Sequence, residues 1–295
     1  ERLVEWLAAL GTTVILLSAT LPRTRRLALV AAYRKGTGGT DDIGRDNVQY
    51  PRLTTVSRRE CSSVHFAPRG DSVTVVIERI DPDVTTIAQA LIDQLRHGGC
   101  AGWICNTVDR AQAAYEALAR IDPSLPRLLL HARMLPEDRA EREPPLEALL
   151  GPESRGARRP ERHVVVGTQV LEQSLDVDFD LLVTDLAPVD LLLQRAGRLH
   201  RHRERGNRST AHPRPRLWVA YGEGAFHNVP IQAVARVYAE ALVRGTLRTL
   251  EGRTQIMLPD DIEPLVEDVY LGTLPGTDDE LFGAYIDLFG GSIAQ

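Results

Sequence analysis

The sequence is poor in several things, and each shortage closes off a class of protein. Its 295 residues hold three cysteines, Cys61, Cys100 and Cys105. None falls at the Cys-x-x-Cys spacing of a structural zinc site, and no disulfide framework is supported. No apolar run approaches the roughly 20 residues needed to cross a bilayer, and Glu1-Arg2 opens no signal peptide. The reading is a cytoplasmic chain in a reducing setting, with no membrane contact. Lysine is nearly missing too: Lys35 is the only one among 35 basic residues. Against 40 acidic residues the formal charge is -5. That excludes nucleic-acid binding by bulk positive charge, so any such site must be local. What is present, 43% hydrophobic and 25% charged residues, suffices for one or two folded domains.

The pattern along the chain is α/β. A first helix places Leu3, Val4, Leu7 and Leu10 on one face and stops at Gly11. The run Thr12 to Leu17 (TTVILL) then reads as a strand buried on both faces of a parallel sheet, and a helix follows over Arg23 to Tyr33. No partner strand precedes TTVILL, so the chain reads as starting inside a domain. Strands are predicted at Leu53 to Val56, Ser62 to Phe66 and Ser72 to Ile80. From Pro82 onward strands and helices alternate regularly, with strands at 102–105, 127–131, 163–167, 180–184 and 216–221. Five strands alternating with helices make a parallel α/β domain. The tail reads as helical, with Val234, Val237, Tyr238, Ala241 and Leu242 as one apolar stripe.

In an open parallel sheet, ligands gather beyond the carboxyl ends of the strands. The residues there are Ser18 and Thr20, Asn106 and Thr107, His131 and Arg133, Thr168, and Asp185. Each alone reads more simply as a turn or helix cap, but five groups at one edge form a candidate site. In QRAGRLHR, Gln194, Arg198 and Arg201 are spaced i, i+4, i+7, on one helical face or its continuation. Two guanidinium forks and an amide suit a polyphosphate, and Gly197 would permit close backbone approach. A solvated basic helix end fits the same residues. The arginines of the polar stretch 151–162 fit DNA contact, or more simply a solvated loop. His200 and His202 form an HxH pair beside the candidate site, a weak metal signal.

SATLP, TQVLEQSLD and QRAGRLHR resemble motifs III, V and VI of superfamily 2 helicases. Together with LLLHAR, TDLAPVDLLLQRAGRLHRH and MLPDD, they resemble the helicase part of the type I CRISPR-associated helicase-nuclease family. That family unwinds and degrades DNA after an RNA-guided Cascade complex has opened an R-loop. The resemblance implies a RecA-like parallel sheet sandwiched by helices, the second helicase lobe, at residues 81–225. It implies the end of a first lobe at 1–34, an inter-lobe connection at 35–80, and a helical linker at 226–295. It makes Arg201 the arginine finger, with Arg198 beside it on the γ-phosphate and Gln194 as their partner. Asp176 would stand near the ribose and Gly197 against the nucleotide. Thr168, Asn106, Thr107, His131 and Arg133 would hold the backbone of single-stranded DNA. Ser18 and Thr20 would couple that path to ATP.

Two motifs are absent. There is no GxxxxGK[ST] phosphate loop, since KGTGGTDD lacks the following Lys-Ser/Thr and a preceding strand. There is no DExH or DExD either, so the resemblance puts the Mg2+ ligands on a first lobe outside this sequence, along with an HD nuclease domain in cis or trans. No metal ligand is assigned within the chain, and alone it is predicted not to hydrolyse ATP. Two other readings stay open: another superfamily 2 helicase or translocase, and a non-catalytic DNA-binding or Cascade-docking remnant.

Overall fold

The computed structural model describes residues 1–39, 49–68, 70–154, 159–173, 175–202, 208–222 and 237–271. These form two compact units, residues 1–73 with 257–271, and residues 74–256.

In the first unit, α1 (Arg2–Ala9) lies against α2 (Arg23–Gly36). Gly36 makes the close approach possible, because a Cβ there would stand 2.1 Å from the Glu5 carbonyl oxygen. The ion pairs Arg25–Glu1 and Lys35–Glu5 cross the same seam. Val4 and Ala8 are the residues α1 buries, whereas Leu3 and Leu10 face solvent, so the predicted apolar face is rotated. Strands β1 (Arg52–Val56) and β2 (Cys61–His65) pair antiparallel.

The TTVILL run is not a strand. No described strand pairs with it, and Ile15 and Leu17 are 79% and 92% exposed. An apolar run becomes a buried strand only when neighbours satisfy its backbone and cover its faces. Each aliphatic side chain left in water forgoes about 1.5–3 kcal/mol.

A seven-stranded sheet lies mainly in the second unit. Its strands are β3 (Val73–Ile80), β4 (Gly99–Ile104), β5 (Arg127–Leu130), β6 (Arg162–Gly167), β7 (Leu181–Asp185), β8 (Arg216–Ala220) and β9 (Gln255–Leu258). The order is β5-β6-β4-β7-β8-β3-β9, and the pairs from β5 through β3 are parallel. β3 thus joins this sheet through β8, although the sequence reading assigned it to the connection. The central strands β4 and β7 are buried at every residue, as expected of a sheet with both faces covered.

Helices α3 (Val84–Gln94) and α4 (Val108–Ile121) present Ile87, Leu91, Ala114 and Leu118 to Trp103, Val164, Val166 and Val183 of the sheet. Asp83 and Thr107 cap these helices through the amides of Thr86 and Arg110. Before β4 the chain turns on Gly98 and Gly99, at φ +96° and +120°, a region costly for any side chain. Helices α5 (Pro136–Leu150), α6 (Val170–Gln173) and α7 (Val189–Ala196) complete the alternation. This is the α/β sheet sandwiched by helices expected from the sequence.

The tail departs from the expected stripe. Its helix α8 (Glu240–Leu250) begins after Val237 and Tyr238, and buries Leu242, Val243, Leu247 and Leu250. β9 and a last helix, α9 (Ile262–Leu271), follow it. Val234 lies outside the described residues.

Candidate functional site

Because β5, β6, β4 and β7 are parallel neighbours, the residues after them line up along one edge. His131, Thr168, Asn106 and Asp185 stand there as the sequence predicts. Much of their polarity is spent locally. The Thr168 hydroxyl, on a residue 1% exposed, accepts from the Ala132 amide at 3.3 Å. Asn106 donates from Nδ2 to the Leu186 carbonyl at 2.8 Å and from its amide to Asp185 Oδ2 at 2.9 Å. Arg110 braces the other Asp185 oxygen at 2.7 Å and the Pro82 carbonyl at 2.7 Å. Thr107 serves as the α4 cap. In this row, Asn106 Oδ1 and His131 Nδ1 remain buried without a partner among the described residues. Arg133 is the exposed cation of the row, 3.5 Å from Asp109. Ser18 and Thr20 belong to the first unit, where the Thr20 amide donates to Ser18 Oγ at 3.3 Å.

The arginine-rich segment is organised differently from the helical face the spacing suggested. Helix α7 ends at Ala196, so of Gln194, Arg198 and Arg201 only Gln194 is helical. The turn beyond it is pulled onto the segment before β7. Phe179 donates its amide to the Arg198 carbonyl at 2.9 Å, and the His200 amide donates to the Phe179 carbonyl at 3.0 Å. His200 takes φ +48°, uncommon for a residue with a side chain, and this reversal ends any helical continuation. Gly197 sits at the helix C-cap with φ -65°. A Cβ there would meet nothing nearer than 3.3 Å, so the local backbone does not itself demand glycine.

The turn brings three of the sequence candidates together. Arg201 Nε donates to Asp176 Oδ1 at 2.6 Å, the two side chains being 43% and 46% exposed. His202 Nε2 stands 3.3 Å from the same carboxylate oxygen. Arg198 points inward and donates to the carbonyls of Leu175 and Glu172. Burial, then the neighbouring Arg201 charge, lowers the pKa of Arg198. Its guanidinium is engaged in holding the Glu172 and Leu175 carbonyls, a bracing role the spacing did not suggest.

Beneath this turn lies a charge network that the sequence reading missed. Asp178 and Asp180 are both 0% exposed. Arg208 spans them, with Nη2 at 2.7 Å from Asp178 and Nη1 at 2.8 Å from Asp180. Arg159 reaches Asp180 at 2.9 Å, and the Cys100 amide at the start of β4 donates to the same carboxylate at 2.7 Å. Burial pushes Asp180 upward, but Arg159 and the Cys100 amide outweigh it and hold its pKa below the ordinary value. His200 faces this network, and burial followed by the Arg208 charge pushes its pKa down to about 4. A second buried pair joins Arg195 to Glu172 at 2.6 Å, with Arg195 also donating to the Tyr238 hydroxyl at 3.2 Å. Burial raises the Glu172 pKa against the opposing Arg195 charge.

The alternation Asp-Val-Asp-Phe-Asp was the available signal. Acids interleaved with apolar residues and running into a buried strand must find partners. Their partners Arg159 and Arg208 come from distant segments. Arg159 and Arg162 are not part of a solvated loop, since Arg162 pairs with Asp122 at 3.0 Å. Arg155 and Arg158 lie outside the described residues.

Asp180 immediately precedes β7 and binds the beginning of β4, so the turn from Arg198 to Arg201 sits at the amino ends of those strands. The polar row sits at their carboxyl ends. The two candidate sites are therefore at opposite ends of the same strands, whereas the sequence reading gathered its strand-end candidates at the carboxyl edge alone. A magnesium ion is not matched by these residues. Asp176, Asp178 and Asp180 are each paired with arginine, and no group of three His, Cys, Asp or Glu side chains among the described residues converges on a metal position. No helix among them is long and apolar enough to cross a membrane.

Residues 97–204 match the family described as CRISPR-associated nuclease/helicase Cas3, C-terminal. A CRISPR-associated endonuclease/helicase Cas3 from Thermus thermophilus is 37% identical over 316 residues, covering 93% of this chain and 33% of that protein. A CRISPR-associated nuclease/helicase Cas3 from Streptococcus thermophilus is 35% identical, covering 96% of this chain and 30% of its own length. This chain thus spans about a third of the length of the curated relatives it matches. The crystal structure of T. fusca Cas3-ATP superposes with a TM-score of 0.82 at 32% identity, over 99% of this chain and 35% of that one. A chain of a CRISPR RNA-guided surveillance complex, pre-nicking, matches with a TM-score of 0.80 at 32% identity, over 100% of this chain and 38% of its own. With the parallel sheet and the paired motif loops already in place, the chain belongs to the CRISPR-associated nuclease/helicase Cas3 family and aligns with its C-terminal helicase region.

Proposed function

We propose that this chain is part of an ATP-driven motor that moves along single-stranded DNA and unwinds it. In this reading it acts in CRISPR interference, on target DNA opened by an RNA-guided Cascade-type complex. Its contribution is the arginine finger and part of the DNA grip. Residues 1–34, with Ser18 and Thr20, would end a first RecA-like lobe, and 35–80, 81–225 and 226–295 would be connection, second lobe and linker. The remainder of that first lobe, with the Mg2+ ligands, and an HD nuclease domain would act alongside it. The relatives named as Cas3 nuclease/helicases support the helicase class. Solved T. fusca Cas3 forms with ATP, ADP and AMPPNP support a nucleotide substrate.

The observation that carries the reading is the Arg201–Asp176 pair. Arg201 is half exposed on a backbone-anchored turn, and its guanidinium is balanced by one solvent-accessible carboxylate. A γ-phosphate arriving at this turn offers denser negative charge and bidentate geometry. Arg201 would then leave Asp176 for the phosphate, freeing the carboxylate to accept from the ribose. The finger neutralises charge that grows on the transferred phosphoryl group, Arg198 holds the turn that carries it, and Gln194 stands on the helix before that turn. Gly197 keeps the surface beside it low. Phosphate contact from both lobes closes them and hydrolysis releases them. At the other edge, Arg133, His131, Asn106, Thr107 and Thr168 follow the DNA backbone, where contacts position the strand without reading its sequence.

In the full-length protein, Arg201→Ala is expected to cut DNA-stimulated ATP turnover by about 10³–10⁵-fold while ATP binding stays within a few-fold. Turnover near that of the unmodified protein would refute the finger assignment. DNA binding without turnover in the unmodified protein would favour a non-catalytic docking module.

A further inference from the structure

We propose that Asp178 is the positioning residue for the Arg201 finger, acting through the backbone of the finger turn and not through its guanidinium. This inference rests on the finger role proposed for Arg201. Asp178 Oδ1 accepts from the Arg201 amide at 3.1 Å, and Oδ2 stands 3.4 Å from the His202 amide. Two consecutive amides of the turn thus face one carboxylate that is wholly buried. The carboxylate is in turn fixed from the sheet. Arg208 bridges it to Asp180, and Asp180 is held by the Cys100 amide of β4. Phe179, between the two acids, packs its ring against Gly102 of β4, where any Cβ would come within 3.0 Å of it. The φ +48° reversal at His200 lies directly before Arg201. The path from the rigid centre of the sheet to the finger therefore runs β4, Asp180, Arg208, Asp178, Arg201 backbone.

A device of this kind separates two tasks. The Arg201 side chain must stay free to exchange partners, and its contacts are the exposed Asp176 and the Gly197 carbonyl at 3.4 Å. Its Cα must not move, because a displacement near 1 Å at a reacting centre costs roughly 10²-fold in rate. Buried charge-assisted hydrogen bonds to amides meet the second need without restraining the first.

The test is a double-mutant cycle in the full-length protein with single-stranded DNA, measuring kcat and KM for ATP. Asp178→Asn keeps the size of the side chain but loses one acceptor oxygen and the charge. It is expected to lower kcat about 10–100-fold with KM changed less than about threefold. In the Arg201→Ala background it is expected to add nothing beyond about twofold, since the residue acts through Arg201. Asp178→Asn combined with Arg208→Gln removes both buried charges, and should give the same kinetics if the single variant does not fold. An unchanged kcat in either folded variant overturns the proposal. So does an equal fold-loss with and without Arg201, which marks a purely structural role. Undiminished turnover in Arg201→Ala alone refutes the finger reading and this inference with it, a result distinct from the other two.

Discussion

At the amino ends of β4 and β7, Arg159, Asp178, Asp180 and Arg208 are withdrawn from water in mutual pairs. At the carboxyl ends, Thr107, Asn106 and Thr168 satisfy nearby backbone groups, and the cation Arg133 stays in solvent. Both ends are polar, yet they use polarity for different purposes. Charge buried in pairs is expensive to disturb and suits a turn that must hold one geometry. At the carboxyl ends the neutral hydrogen bonds of Thr107 and Thr168 are 3.3 Å long and Arg133 is solvated, while the Arg110–Asp185 pair anchors the row.

The contrast is sharpest where a buried partner is removed. Asp180→Ala leaves Arg159 and Arg208 facing each other without their shared carboxylate. Unfolding stability is expected to fall by about 3–5 kcal/mol, read from urea denaturation. A loss below about 1 kcal/mol would mean the network is solvated and the two ends are alike.

Next in size is a pH effect. The folded-state pKa of His200 lies at about 4, below its ordinary value of 6.5, so the unfolded chain binds a proton more readily between those values. The contribution of His200 to stability is therefore complete above about pH 6.5 and is lost as pH falls toward 4. Burial lowers His163 and His212 in the same direction. His200→Gln should flatten the pH 4–6.5 slope without abolishing it. An unchanged slope would place the sensitivity in the other two histidines.

At the carboxyl edge the expected effects are smaller. Thr107→Ala removes the α4 cap and should cost about 0.5–2 kcal/mol, with single-strand affinity lowered about equally on all sequences. Arg133→Ala should change stability by less than about 0.5 kcal/mol while weakening DNA binding uniformly. A strong change in sequence preference from either would show base reading at this edge and break the comparison.

Much of the second unit was legible beforehand. Short apolar strand segments alternating with helical ones located α3 through α7 and the strands β4 to β8 within a few residues, because each is bounded by turn signals. Three features were not. TTVILL, like β6, carries a run of consecutive apolar residues, yet β6 lies between β5 and β4 and is buried, while no described strand pairs with TTVILL. The stripe from Val234 to Leu242 mixed residues before α8 with residues in it, since helical spacing says nothing of where a helix starts. The Asp178–Arg208–Asp180–Arg159 cluster joins positions up to 49 residues apart, and no local pattern links such residues.

Sequence pattern by itself determined most helices and strands of the second unit, which depend on neighbours in sequence, and motif resemblance gave the family and the candidacy of Arg201. Only the tertiary structure decided that Arg198 braces a loop, that Arg201 meets Asp176, and that Asp178 holds the turn beneath them. Those outcomes depend on which groups share a dry interior, where an unpaired charge is too costly to persist and each acid must take the cation that the fold delivers.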